Sequence, residues 1–291
     1  MKIITLKKIP VAAGNGIGLH DKTHSRRRKM TVKFEMDGPL AIATFCDGPM
    51  NLLTFNSFRG LMDAVDQAIE NKARAFLTLA EGDHFCAGAH IVENFVGQDA
   101  NFARRMLNRS IPEMQRFENL PFPTVVAIRG MCLGGGCEIA QIHDIIFAGE
   151  GSNFGQVEAR IGTTTLLGGA QRLVARVGLA RAKEMVFSAG IYDAKTMQDW
   201  GLINRIVPDA EVEAKARAYA MKLANGPTVA YAASKHLINT AVGFGQSAAD
   251  QCVIESGPAT FATRDMTYAV DLFDKEGADV LIKGSLNFKG E

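Results

Sequence analysis

Thr124-Val125-Val126-Ala127-Ile128-Arg129-Gly130-Met131-Cys132-Leu133-Gly134-Gly135-Gly136-Cys137-Glu138 changes character twice within one short stretch. Thr124 to Ile128 is a short apolar run rich in β-branched residues, the composition of a buried strand. The glycine-bearing segment from Arg129 to Gly136 breaks that pattern. Cys137-Glu138-Ile139-Ala140 then reads as the opening of a helix that carries a carboxylate in apolar surroundings. A strand followed directly by a glycine-rich turn and a helix is the unit from which parallel sheets are built.

The same pattern recurs on either side. Leu40 to Phe45, Phe76 to Ala80 and Asp144 to Ala148 are further apolar runs of strand length. Between the first two, Phe58, Leu61, Met62, Val65, Ala68 and Ile69 repeat at helical spacing and predict an amphipathic helix capped by Asn56 or Ser57. Strands alternating with helices predict an α/β fold with a mainly parallel sheet, whose functional groups gather where loops leave the C-terminal strand ends. After about Gly178 the pattern turns mostly helical, with Ala210 to Asn225, Thr228 to Ala241 and Ala248 to Thr263 as candidate helices bounded by glycine or proline.

A chain of 291 residues, 47% hydrophobic and 22% charged, has the make-up of a globular protein with a large core. One main domain with a helical tail fits this length, because α/β units often use about 200 to 250 residues. The formal charge of +1 hides an asymmetry: residues 1–29 hold eight Lys or Arg and one acid, leaving 24 basic and 30 acidic residues in the rest. A nucleic-acid footprint would therefore have to come from the basic arm ending Ser25-Arg26-Arg27-Arg28-Lys29, or from Arg104, Arg105 and Arg109. The arm also reads as a solvated extension, a targeting segment, or sequence upstream of a start at Met30. Five cysteines without a C-x-x-C pair point to a reducing compartment, and the six histidines lack zinc-ligand spacing. No run has membrane-span length, since Arg129 and Glu138 interrupt the most hydrophobic region.

A second glycine-bearing loop, Glu81-Gly82-Asp83-His84-Phe85-Cys86-Ala87-Gly88-Ala89, also leaves a strand. Two such loops pointing backbone N–H groups at one oxygen would form an oxyanion hole, although glycines also serve close packing with no ligand. Neither Gly134-Gly135-Gly136 nor Gly14-Asn15-Gly16-Ile17-Gly18 completes a dinucleotide fingerprint, and no Gly-Lys-Ser/Thr follows. Glu138 is an acid/base candidate or an N-terminal helix cap. Glu158, twenty residues further on, is its partner or a surface residue.

Several segments taken in order resemble the crotonase superfamily, specifically its enoyl-CoA hydratases. They are Gly48-Pro49-Met50-Asn51-Leu52-Leu53, Phe85-Cys86-Ala87-Gly88-Ala89, Gly134-Gly135-Gly136-Cys137-Glu138, Phe154-Gly155-Gln156-Val157-Glu158 and Gly168-Gly169-Ala170-Gln171-Arg172-Leu173. The resemblance runs from about Thr31 to Gly245. It implies a crotonase-like core of repeated ββα units in a spiral over residues 31–205, a C-terminal helical trimerisation region over 206–291, and a basic extension over 1–30. It further implies reversible syn addition of water to a trans-2-enoyl-CoA, giving a 3-hydroxyacyl-CoA. Glu138 and Glu158 would hold the attacking water, Glu158 would exchange the C2 proton, and the N–H groups of Ala89 and Gly135 would bind the thioester oxygen. Ala87, Ala89, His90, Ile91, Gly135 and Lys283 fall at substrate or CoA positions. His90 stands where an aspartate is common and Val92 where lysine is frequent.

The resemblance also implies a homotrimer or hexamer acting on an acyl-CoA, with no metal or redox cofactor and no membrane, in the cytoplasm or, with a targeting arm, in mitochondria. The competing readings are another crotonase reaction (enoyl-CoA isomerisation, or 3-hydroxyacyl thioester dehydration or hydrolysis) and an RNA-binding hydratase relative. Phe95, Met106, Met114 and Trp200 are candidates for the acyl pocket wall.

Overall fold

The computed structural model describes residues 30–283 and 286–291, so the basic arm at residues 1–29 lies outside the described residues. The chain opens with the hairpin β1 (Val32–Asp37) and β2 (Leu40–Phe45), followed by α1 (Phe55–Glu70) and β3 (Ala75–Ala80). After α2 (Ile91–Asn94) and α3 (Ala100–Glu118) come β4 (Thr124–Ile128), β5 (Met131–Leu133) and α4 (Gly135–Gln141). Next are β6 (Ile145–Gly149), β7 (Asn153–Gly155) and a 3-10 turn over Glu158–Ile161. The core ends with α5 (Gly169–Val177), α6 (Leu179–Ser188), β8 (Tyr192–Asp193), α7 (Ala194–Trp200) and β9 (Arg205–Val207). Helices α8 (Val212–Ala224), α9 (Thr228–Phe244), α10 (Gln246–Phe261), α11 (Arg264–Glu276) and α12 (Asp279–Lys283) complete it.

The large sheet has the order β1-β2-β3-β4-β6-β9, antiparallel at β1/β2 and parallel everywhere else. A small sheet, β5-β7-β8, stands beside it. Two successive units, β4–β5–α4 and β6–β7–α5, each place one strand in the large sheet and the next in the small one before entering a helix. Backbone β-pairing between Cys86 and Cys132, both free thiols, ties the loop after β3 to the same small sheet. This is the repeated ββα arrangement that the resemblance implied.

Strand residues alternate between two cores because successive side chains leave opposite faces of a sheet. Ala41, Ala43, Phe76, Val126 and Ile146 face α1, α3 and α4, where Leu61, Val65, Phe117 and Ile139 pack against them. Leu40, Ile42, Leu77, Val125 and Phe147 face α8, whose Ala216, Ala220 and Ala224 recur every fourth residue and let the helix lie close to the sheet. Burial on both faces explains why these strands read as continuous apolar runs.

Several boundaries differ from the sequence reading: β3 starts at Ala75, α8 spans Val212–Ala224, α9 runs on to Phe244 and α10 spans Gln246–Phe261. Two further differences have a side-chain cause. The cap of α1 is Thr54, not Asn56 or Ser57: Ser57 N donates to Thr54 Oγ1 at 3.0 Å, and Thr54 N donates back to Ser57 Oγ at 2.8 Å. This reciprocal pair starts the helix earlier than a lone cap at Asn56 would. Strand β6 begins at Ile145 because the Asp144 carboxylate accepts from Thr124 N at 2.7 Å and Thr124 Oγ1 at 3.0 Å. Asp144 also pairs with Lys235 of α9 at 2.8 Å, fastening that helix to the end of the sheet.

Candidate active site

The two loops foreseen from the glycines lie side by side. Leu53 N donates to Gly88 O at 2.8 Å and His90 N donates to Leu53 O at 2.9 Å. Leu53 thus bonds to the residues on both sides of Ala89, which turns the N–H of Ala89 away from it. Gly135 is the first residue of α4, where a helix leaves N–H groups without an intrahelical acceptor. Gly134 makes that approach possible by adopting φ 50 and ψ −124, a conformation that side chains oppose. Ala89 and Gly135 line one cavity of about 530 Å³.

Glu138 lies on the same wall, one turn into α4, and is only 3% exposed. It caps nothing in its own helix. Its Oε1 accepts from Leu167 N and Gly169 N, both at 2.8 Å, on the approach to α5. Burial pushes its pKa up to about 8, helped by the charge of Glu158 and opposed by the N–H groups of Gly169 and Leu167 and by Arg172. Glu158 is half-buried at the start of the 3-10 turn and lines the same cavity. A Cβ built on Gly134 would stand 3.4 Å from Glu158 Oε1, which places this carboxylate over the glycine turn. Burial raises its pKa too, partly offset by its own backbone N–H. Two mutually repelling carboxylates titrate as a pair, and the direction here is towards retaining one proton near neutral pH.

Ala87, His90 and Ile91 also reach the cavity. The Ala87 N–H is engaged by Met50 O at 2.9 Å, so it holds the loop together. His90 caps α2, its Nδ1 accepting from Glu93 N at 3.2 Å. Val92 is 67% exposed beside it. Lys283 ends α12, and its side chain lies outside the described residues.

Of the four residues offered for the pocket wall, Phe95 and Met106 line the cavity. Met114 is instead fully buried in the main core, and Trp200 packs against that core with its ring 4.9 Å from Tyr192. The sequence reading missed Leu52, Phe58, Ser110 and Leu166, which come from different elements and share no short motif. Arg104, Arg105 and Arg109 lie on α3 outside the cavity lining. Among the described residues, no helix is long and apolar enough to cross a membrane.

The sequence model of the enoyl-CoA hydratase/isomerase family matches residues 37–272. The mitochondrial enoyl-CoA hydratase of Pongo abelii is 31% identical over 265 residues, covering 88% of this chain and 83% of that protein. The short-chain-enoyl-CoA hydratase of Clostridium acetobutylicum is 32% identical over 254 residues, covering 83% and 94% respectively. Among solved structures, an enoyl-CoA hydratase subunit from Geobacillus kaustophilus superposes with a TM-score of 0.81 at 26% identity, covering 90% of this chain and 98% of that one. Pseudomonas aeruginosa DspI superposes with a TM-score of 0.80 at 26% identity, covering 88% and 98%.

Proposed function

The chain belongs to the enoyl-CoA hydratase/isomerase family, and from that premise we propose that it adds water reversibly across a trans-2-enoyl-CoA to give a 3-hydroxyacyl-CoA. One observation carries the assignment to residues: two carboxylates from different elements, Glu138 and Glu158, share a cavity wall with Ala89 and Gly135.

The thioester oxygen sits between the N–H groups of Ala89 and Gly135. As water attacks C3, charge moves onto that oxygen in an enolate-like transition state, and the two donors bind it more tightly than the neutral carbonyl. One oxyanion donor is worth about 3 to 4 kcal/mol in well-studied enzymes, so this pair supplies much of the acceleration. The two glutamates hold the attacking water. Their shared proton goes to C2 from Glu158, and the proton leaving the water restores the pair through Glu138. Water and proton arrive from the same carboxylate side of the bound acyl group, which makes the addition syn. Beyond the acyl-CoA and water, the proposed steps draw on residues of this chain.

The large apolar side chains left exposed on α9 and α10, Ile238, Val242, Phe244, Ile254 and Phe261, support assembly into a trimer or a pair of trimers. Light scattering that finds a monomer at micromolar concentration overturns that part.

The activity is tested by following loss of the conjugated enoyl-thioester absorbance with crotonyl-CoA and longer 2-enoyl-CoAs. Glu138→Gln and Glu158→Gln are each expected to lose about 10²–10⁴-fold in kcat, the range of general acid/base contributions. No turnover of any enoyl-CoA by the wild-type protein refutes the assignment.

A further inference from the structure

Two glutamines lie behind the carboxylates. Gln156 is fully buried and Gln141 is 2% exposed, so each amide needs partners inside the protein. Their orientation follows from one fixed point. The Cys137 carbonyl can only accept, so the nitrogen of Gln141, 3.2 Å away, must face it. The same nitrogen lies 2.7 Å from the Gln156 side chain, which therefore turns its own oxygen towards Gln141. The Gln156 nitrogen is then left facing Glu158, 3.1 Å from Oε1 and 3.2 Å from Oε2. Gly169 provides the space: a Cβ there would stand 2.5 Å from the Gln156 amide and 2.8 Å from Glu138 Cγ.

We propose that Gln141 is a positioning residue that acts through Gln156 to hold a donor amide against both carboxylate oxygens of Glu158. Gln141 lies one helical turn beyond Glu138 in α4. The relay therefore ties Glu158, on a separate 3-10 turn, to the helix that carries its partner. Without Gln141, the Gln156 amide is free to turn over and present its oxygen to Glu158, an arrangement that only a protonated carboxyl satisfies. The other charged or titratable groups around Glu158 are Glu138 on α4, Arg172 on α5 beyond Glu138, Arg160 on its own turn and His90 at the head of α2. None of them depends on Gln141 for a hydrogen bond.

The inference rests on Glu158 belonging to the acid/base pair, and the experiment separates the two ideas. Gln141→Met keeps the length of the side chain and removes the donor. It is expected to lower kcat about tenfold, the equivalent of one hydrogen bond to a charged group, with KM within about twofold. The acid limb of the kcat profile is expected to move up by about half a pH unit or more, since a lost donor disfavours the carboxylate. Gln156→Leu, measured in parallel in case Gln141→Met does not fold, must give the same two changes. Adding Gln141→Met to Gln156→Leu must cost nothing further, because the two act together. An unmoved acid limb overturns the relay, whether or not kcat falls, and so does a multiplicative loss in the double variant. Full activity in Glu158→Gln would instead overturn the acid/base pair itself.

Discussion

Helix α4 places two buried ionisable side chains near its ends, and they do different things. Glu138, near its start, is 3% exposed, and His143, just past its end, is 0% exposed. Both are shifted by burial: Glu138 up to about 8, His143 down to about 3. His143 has both ring nitrogens engaged, one with Thr78 Oγ1 at 2.7 Å and the other with Ile139 O at 2.9 Å, and its ring meets Phe117 edge-on at 4.6 Å. Glu138 uses Oε1 for two backbone N–H groups, while Oε2 has no protein partner among the described residues and the side chain borders a cavity. A shifted pKa therefore does not by itself mark a functional group. Unused hydrogen-bonding capacity facing a space large enough for substrate does.

The comparison breaks most visibly if the two ends are altered in turn. His143→Ala is expected to destabilise the fold by about 3 to 4 kcal/mol, from the cavity beside Phe117 and the unpaired Thr78 hydroxyl. The folded fraction keeps its kcat within about threefold, because no step of the chemistry passes through the ring. Urea unfolding and enzyme assay on the same samples check both halves, and a large kcat loss in fully folded protein would place His143 in the site. The wild-type protein also has a predictable acid limb. The folded value of His143 lies below its unfolded value of 6.5, so its contribution is complete above pH 6.5 and is lost as pH falls towards about 3. His143→Ala flattens that limb.

Glu138→Gln runs the other way. Its folded value lies above the unfolded 4.5, so the carboxyl adds no penalty below that pH and an increasing one as pH rises towards about 8. The amide still accepts from Leu167 and Gly169 without carrying charge. The variant is thus expected to match the wild type in stability near pH 4 and exceed it by about 2 kcal/mol at pH 8, given that each tenfold change in proton affinity carries roughly 1.4 kcal/mol and that Glu158 shares the proton. Gained stability with lost activity is the signature of a group kept for chemistry. Equal stability at both pH values would mean that the backbone donors fully compensate the charge.

Much of this contrast was legible in the sequence, but unevenly. The central strands announced themselves because both faces are buried, so periodicity hardly mattered. The two glycine-bearing loops stood out by composition and Glu138 by its apolar setting, but it was the family resemblance that paired Glu138 with Glu158 and supplied the oxyanion-hole and acid/base roles proposed for them. The three-residue strands β5 and β7 are too short to show a period. β1 does alternate strictly, with Val32, Phe34 and Met36 half-buried between exposed charged residues, and a search for continuous apolar runs passes it over. The cavity wall is assembled from α1, α3 and the loop before α5, which no local pattern links. Gln141 was visible as the polar residue in Ile139-Ala140-Gln141-Ile142, and a buried amide in such a run asks where its partners are. Only the fold could answer with Gln156.

The smallest effect concerns the start of α1, which supplies part of the cavity wall through Phe55 and Phe58. Thr54 and Ser57 satisfy each other's backbone N–H groups there, with both residues buried. Thr54→Ala removes one acceptor and leaves the Ser57 N–H without its cap, at a cost of about 1 kcal/mol. The loss falls on stability, and the chemistry of the pair is untouched: the pH profile of kcat keeps its shape, while the unfolding midpoint drops. If Thr54→Ala instead changed the preference among enoyl-CoA chain lengths, the start of α1 would be setting the shape of the pocket as well as capping a helix. It would then resemble Glu138, which serves the site, more than His143, which serves the fold.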